Sequence, residues 1–289
     1  PGEIFRLGFL NTVKLCKLRL PEAMVNAFPG PRLGISGIRR KLGFSDRPVF
    51  CRSCRPAVSL YTAEMVEINR RVLRGGFDAV KDDELTFDNP RSPFAERVRA
   101  MTAMKKQVED LTGETKLYFA NITADMEEAL RQAEIAADAG VDGLLVSPQL
   151  QGVSFVQEIR KRFDLIIFAH NSCEDILYRH PLYGVSSEMV FMLHRLAGAD
   201  LMILTADFTA QEKDRADAAA QLQAVRGPLG TRSPALPVIA GGKTPEKLGD
   251  YTRDLESVEY MIIAASAVDN HPQGLEAGAR AFREAWEIQ

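Results

Sequence analysis

The chain has 289 residues, 46% of them hydrophobic and 26% charged, with a formal net charge of −3. That composition supports a packed core and excludes a disordered chain, and the charge gives no basic footprint for nucleic acid or an anionic membrane. No run reaches the ~18 apolar residues of a spanning helix, and four cysteines without regular spacing point to a reducing, cytoplasmic setting.

Residues 1–47 open Pro1-Gly2-Glu3-Ile4 with neither an initiator methionine nor a signal-peptide pattern, as expected of a fragment or processed product. They carry Pro21, Pro29-Gly30-Pro31 and the basic run Arg39-Arg40-Lys41, and read as helical segments and linker, not as a separate domain. From residue 48 the pattern alternates. Short apolar runs expected as buried parallel strands lie at 48–53, 77–81, 117–122, 143–147, 165–169, 201–204, 237–240 and 260–265. Each precedes a stretch with helical spacing: 63–73, 93–111, 126–139, 155–162, 187–196, 215–225, 245–251 and 275–286. Gly75-Gly76, Gly113, Gly140, Gly198 and Gly249 fall at or near the expected helix ends. Eight βα units over residues 48–289 match the about 250 residues of a closed (β/α)₈ TIM barrel. The predicted fold is therefore α/β, a barrel behind a short helical and linker segment.

In such a barrel, chemistry collects at the carboxyl ends of the strands. The second expected strand ends Lys81-Asp82-Asp83-Glu84, with Lys81 and Asp83 on one face and Glu84 free to join them where the loop begins. Paired carboxylates suit a hard divalent cation such as Mg²⁺. A buried lysine that has lost its proton can react with CO₂ to give a carbamate anion; an ordinary salt bridge is the open alternative. His170 ends the fifth strand, as a general acid/base, a metal-shell donor or a structural residue. Cys173 suggests a Cys–His nucleophile, but no third residue orients it. Three further motifs carry little. Cys51 and Cys54 have CxxC spacing within a strand, Gly242-Lys243-Thr244 lacks the upstream glycine of a phosphate loop, and Asn121-Ile122-Thr123 is a glycosylation triplet without secretory context.

The decamer Gly75-Gly76-Phe77-Asp78-Ala79-Val80-Lys81-Asp82-Asp83-Glu84 closely resembles the signature of the RuBisCO large chain. Leu18-Arg19-Leu20-Pro21, Phe28-Pro29-Gly30-Pro31, Ala139-Gly140-Val141 and Leu236-Pro237-Val238-Ile239-Ala240-Gly241-Gly242 extend the resemblance over nearly the whole chain. It implies Mg²⁺ held by Lys81, Asp83 and Glu84, with CO₂ bound as a carbamate on Lys81. It also implies a homodimer or higher homo-oligomer. The family's N-terminal α+β domain, which completes the active site across a dimer, is expected to be missing here. Asn121, Gly241, Gly242, Ala265 and Ser266, at strand ends, are expected to bind substrate.

Departures from the family pattern narrow the function. Where the carboxylases end the first strand Lys-Pro-Lys, this chain has Arg55-Pro56-Ala57, and an arginine cannot serve as the base. The loop Thr205-Ala206-Asp207-Phe208-Thr209-Ala210 has no lysine at its aligned place, Ala210, although Lys213 is near. His170 is retained, but Asn171 replaces the following arginine, Ile203 a phosphate-binding histidine, and Ala265-Ser266 a glycine pair. The chain looks like a RuBisCO-like protein that does not fix CO₂ and takes a substrate with a single phosphate. The expected reaction is Mg²⁺-dependent enolisation or isomerisation of a phosphorylated ketose-like compound, with Arg55 steadying the enolate. The base would be the Lys81 carbamate, His170 or Glu3. Decarboxylation of a 3-oxo sugar-acid phosphate and a non-catalytic metal-binding barrel are the alternatives.

Overall fold

A computed structural model describes residues 2–205 and 212–288. Each of the eight expected strands forms, trimmed or shifted by a residue or two at its ends: β2 (Val49–Ser53), β3 (Ala79–Lys81), β4 (Leu117–Asn121), β5 (Gly143–Val146), β6 (Ile166–Ala169), β8 (Leu201–Ile203), β9 (Leu236–Ile239) and β10 (Met261–Ile263). Among the described residues these close into a parallel barrel in the order β10-β2-β3-β4-β5-β6-β8-β9. The chain outside that barrel adds β1 (Val13–Leu15) and β7 (Tyr183–Val185), which pair in parallel with each other.

The strands are buried on both faces, so their apolar runs are continuous and the two faces separate only by period two. Inward positions such as Cys51, Ala79, Phe119 and Phe168 fill the barrel. Outward ones such as Val80, Tyr118 and Ile167 pack under the helices. That outer layer is α3 (Thr62–Arg74), α4 (Phe94–Thr112), α5 (Met126–Ala139), α6 (Pro148–Gln151), α7 (Val153–Arg162), α9 (Ser187–Ala197), α10 (Glu212–Arg226), α11 (Leu248–Leu255), α12 (Ser266–Asp269) and α13 (Leu275–Glu287). Two short helices precede it, α1 (Glu22–Ala27) and α2 (Gly34–Leu42), and α8 (Asp175–Tyr178) follows β6.

Gly113, Gly140 and Gly198 cap helices in left-handed conformation, as expected. Gly249 does not. It lies inside the first turn of α11, and the left-handed residue that ends that helix is Glu256.

The segment before the barrel does more than lead into it. Ile35, Ile38 and Leu42 recur at helical spacing along α2 and pack against the inward residues of the strands, sealing the lower end of the barrel. Three aspartates reinforce that end. Gly76-Phe77-Asp78, Gly140-Val141-Asp142 and Gly198-Ala199-Asp200 share a Gly-x-Asp pattern that the sequence reading did not register. Each aspartate accepts a backbone N–H from the neighbouring strand, at Phe50, Tyr118 and Ile167, at 2.9–3.0 Å. Each also faces a cation: Arg47 at 2.6 Å, Lys105 at 2.7 Å and Arg160 at 2.5 Å.

The strand β1 was not expected. Three residues, Val13-Lys14-Leu15, are too short to show a period, and they become a strand because β7 offers an edge. Lys14 fixes the pairing by donating to the carbonyls of Tyr178 and His180 at 3.0 and 2.9 Å.

Candidate active site

At the upper ends of four strands the inward face changes from apolar to polar. One step of two residues leads from Cys51 to Ser53, from Ala79 to Lys81, from Phe119 to Asn121 and from Phe168 to His170. A cavity of about 370 Å³ opens there, lined on its polar side by Ser53, Arg55, Lys81, Glu84 and His170. Gly241, Gly242, Ala265 and Ser266 form the side belonging to the last two strands. Ile203, Leu204 and Ile263 supply an apolar wall.

Of the second-strand cluster expected on one face, Lys81 and Glu84 come together and Asp83 does not. Lys81, 2% exposed, donates to the Asp82 carbonyl at 3.0 Å and approaches Glu84 Oε2 at 3.5 Å. The same Glu84 oxygen lies 3.2 Å from His170 Nε2. Burial opposes ionisation of Glu84, but the His170 hydrogen bond and the Lys81 charge outweigh it and hold the carboxyl well below the usual carboxylate range. His170 Nδ1 meets Ser172 Oγ at 2.7 Å. Asp83 is turned the other way. Its Oδ2 accepts from Ser53 Oγ at 3.1 Å and Arg55 Nε at 3.0 Å, and its Oδ1 from the Leu85 N–H at 3.2 Å. Lys81 and Glu84 therefore meet in the cavity, with Asp83 behind them on the Arg55 side.

Asp82 points to the opposite face, as the period requires. There it is fully buried between Arg97 Nε at 3.1 Å and the Tyr118 hydroxyl at 3.0 Å, and this makes it a structural residue of the helix–strand layer.

The remaining candidates divide. Gly241 and Gly242 have consecutive φ of +78° and +58° beside open space, a backbone that a side chain would strain. Asn121 does not line the cavity; its amide donates to the carbonyls of Glu84 and Thr86 at 3.1 and 3.3 Å, bracing the loop that carries Glu84. Glu3 is exposed, ion-paired with Arg6 at 3.3 Å, and absent from the cavity lining. The loop positions 206–210, including Ala210, and the Lys213 side chain lie outside the described residues. Both ring nitrogens of His170 are taken by Glu84 and Ser172, which leaves none for Cys173. Cys51 is buried inside the barrel, where burial pushes its thiol up to about 12, so the CxxC spacing is structural.

Two residues with no local signal complete the mouth. Arg52, on the outer face of β2, donates to Asp269 at 2.7 Å and to the Arg55 carbonyl at 3.2 Å. It thereby ties the Arg55 loop to α12, which begins at Ser266, through a partner 217 positions away. Ser172 is the other, and it is polar in a loop of polar residues.

As for a cation, among the described residues no three carboxylate, imidazole or thiol groups gather as a metal would need. An ammonium on Lys81 would itself repel one. As a carbamate, Lys81 would add a third hard oxygen donor to Asp83 and Glu84, and that donor set fits Mg²⁺. Among the described residues buried Lys81 has two acceptors in reach, one of them at 3.5 Å.

A family model described as the ribulose bisphosphate carboxylase large chain, catalytic domain, matches residues 34–289. The chain is 30% identical over 286 residues to ribulose bisphosphate carboxylase-like protein 2 of Rhodopseudomonas palustris, covering 99% of this chain and 66% of that protein. It thus spans just under two thirds of that relative's length. Equal identity, 30%, is found with 3-oxo-isoapionate-4-phosphate decarboxylase of Rhizobium etli (99% of this chain, 69% of that one) and with 2,3-diketo-5-methylthiopentyl-1-phosphate enolase of Geobacillus thermodenitrificans (97% and 68%). In three dimensions it is similar to the octameric ribulose-1,5-bisphosphate carboxylase/oxygenase of Pyrococcus horikoshii, with a TM-score of 0.93 at 28% identity over 99% of this chain and 70% of that one.

Proposed function

Because the chain belongs to the family of the ribulose bisphosphate carboxylase large chain catalytic domain, we propose that it is a RuBisCO-like enzyme that enolises a singly phosphorylated ketose-like compound without fixing CO₂. The observation that carries this reading is the cluster of Lys81, Glu84 and His170 within 3.5 Å in the cavity, facing the Gly241-Gly242 turn. Two left-handed glycines beside open space suit close approach of a phosphate to the backbone. The neighbouring strand ends carry Asn171 and Ile203 and offer no charge for a second phosphate.

Mg²⁺ bound through a Lys81 carbamate, Asp83 and Glu84 would supply the positive charge that favours an enolate over its ketone. Arg55, held by Asp83 at the rim, orients the substrate oxygens and stays charged throughout. His170, which lines the cavity, would take or return the proton through Nε2 once substrate displaces its contact with Glu84. Decarboxylation is the second reading, supported by the relative from Rhizobium etli, and passes through the same enolate. An assembly of two or more copies is proposed on the model of the octameric relative.

The test has two arms. Calorimetric Mg²⁺ binding should strengthen with bicarbonate, and Lys81→Ala should abolish that dependence; Mg²⁺ binding undiminished in Lys81→Ala refutes the ligand assignment. Phosphorylated ketoses and 3-oxo acids in D₂O should show deuterium uptake next to the carbonyl. Release of CO₂ in that screen selects the second reading, and carboxylation of ribulose bisphosphate overturns both.

A further inference from the structure

The turn that follows His170 is built under strain. Cys173 has φ +62°, one of two non-glycine residues in the left-handed region among the described residues. A side chain is disfavoured there, so the surroundings must hold it. The next residue is Glu174, which is 2% exposed and absent from the cavity lining. Its N–H donates to the Asn171 carbonyl at 3.3 Å, closing the turn. Its Oε1 lies 3.3 Å from Nδ1 of His194 on α9, itself 2% exposed. Among the described residues its buried Oε2 has no partner.

Among the described residues no lysine or arginine ion-pairs with Glu174. The charged and titratable groups around the pair do not compensate for one. Asp175 beside it is acidic, and Tyr178 gives its hydroxyl to Thr205 Oγ1 at 2.7 Å. Arg195, next to His194, turns to the carbonyls of Ala224, Gly227, Arg232 and Ser233. Arg160, from α7 packed on α9, is held by Asp200. Burial, with Asp175 adding to it, pushes Glu174 up to about 8, and burial pulls His194 down to about 4. Burial thus favours the uncharged form of both, with Glu174 Oε1 against His194 Nδ1.

We propose that Glu174 and His194 are a positioning pair whose buried carboxyl–imidazole contact holds the strained turn that aims His170 at Glu84. The proposal deepens the reading of the site above and rests on it for the role of His170. Ionising Glu174 would leave a carboxylate buried without a cation, a state the turn escapes only by moving. His170, four residues back and tied to the same turn through Ser172, would move with it.

The experiment follows the amide signals of residues 171–174 and the ring nitrogens of His170 by ¹⁵N NMR from pH 6 to 9. His170→Gln identifies the ring signals among the four histidines. The wild type should show a shared transition near pH 8. Glu174→Gln, which can still donate to His194 but cannot ionise, should keep the low-pH positions throughout and lose the transition. Glu174→Leu should displace the His170 signals at every pH. If Glu174→Leu does not fold, Glu174→Gln decides alone. A transition near pH 8 that survives in Glu174→Gln overturns the proposal, and so does its absence from the wild type. Bicarbonate-dependent Mg²⁺ binding, measured on the same samples, reports on the proposed function separately. Its loss with the transition intact would remove that reading and leave the pair.

Discussion

At the lower end of the barrel Asp78, Asp142 and Asp200 each accept a strand N–H and face a lysine or arginine, whereas at the mouth Lys81 and His170 share a single oxygen of Glu84. Both ends are built from the same strands and both bury charge. Below, the carboxylates have close cationic partners and tie neighbouring strands together, with α2 closing the end. Above, among the described residues, the buried Lys81 nitrogen has one carboxylate in reach at 3.5 Å, and Arg55, with a side chain 58% exposed, leans over the rim. Buried charge holds the fold where it is saturated and is left for chemistry where it is not.

The largest expected effect comes from breaking the lower end. Asp200→Ala removes the acceptor of the Leu33, Gly34 and Ile167 N–H groups and leaves Arg160 buried without its carboxylate. Loss of one partner of a buried pair costs about 3–5 kcal/mol. Urea unfolding should show that loss, while Mg²⁺ affinity of the folded fraction stays at the wild-type value. A matching fall in Mg²⁺ affinity would mean that the two ends are not separable.

The pH dependence of stability sharpens the same contrast, because the Glu174–His194 pair is buried near the mouth yet has no cation beside it among the described residues. Glu174 is raised to about 8, so its contribution is complete below the ordinary carboxylate range and is lost as pH rises through about 8. His194 is lowered to about 4, so its contribution is present above the ordinary histidine range and is lost as pH falls through about 4. Each slope is at most ~1.4 kcal/mol per pH unit. Urea midpoints from pH 4 to 9 should decline at both ends. Glu174→Gln should flatten the alkaline side alone, and an unchanged alkaline slope in that variant would discount the burial argument.

The smallest effect is expected at the rim. Arg55→Ala breaks an ion pair whose cation is mostly in water, and such pairs contribute about 0–1 kcal/mol. Its unfolding midpoint should stay near wild type while substrate-dependent deuterium exchange falls. A loss of stability as large as that of Asp200→Ala would place Arg55 with the structural charges.

The eight strands, their helices and the barrel itself were legible because a buried parallel strand and its covering helix each carry a period in the local sequence. That period also fixed Lys81 as inward and Asp82 as outward. It could not say what Asp82 meets there. Arg97 and Tyr118 lie on other elements, and the charge that reads as one more acid beside a metal site is half of a buried pair. Glu3 could not be placed for the same reason, since nothing local separates a residue at the cavity from one in solvent. The Gly-x-Asp pattern was present in the chain but has meaning only once alternate strands of a closed barrel bring each aspartate under its neighbour's N–H.

Local periodicity and turn residues, which depend on neighbours within a few positions, determined the elements and the end at which chemistry could gather. Closure of the barrel decided the partners. Glu84 meets His170, Glu174 meets His194, and each residue of β1 finds its β7 partner 170 positions away. A charge is defined by what stands within about 4 Å of it, and in this protein those neighbours arrive from distant segments, set by strand register and helix packing.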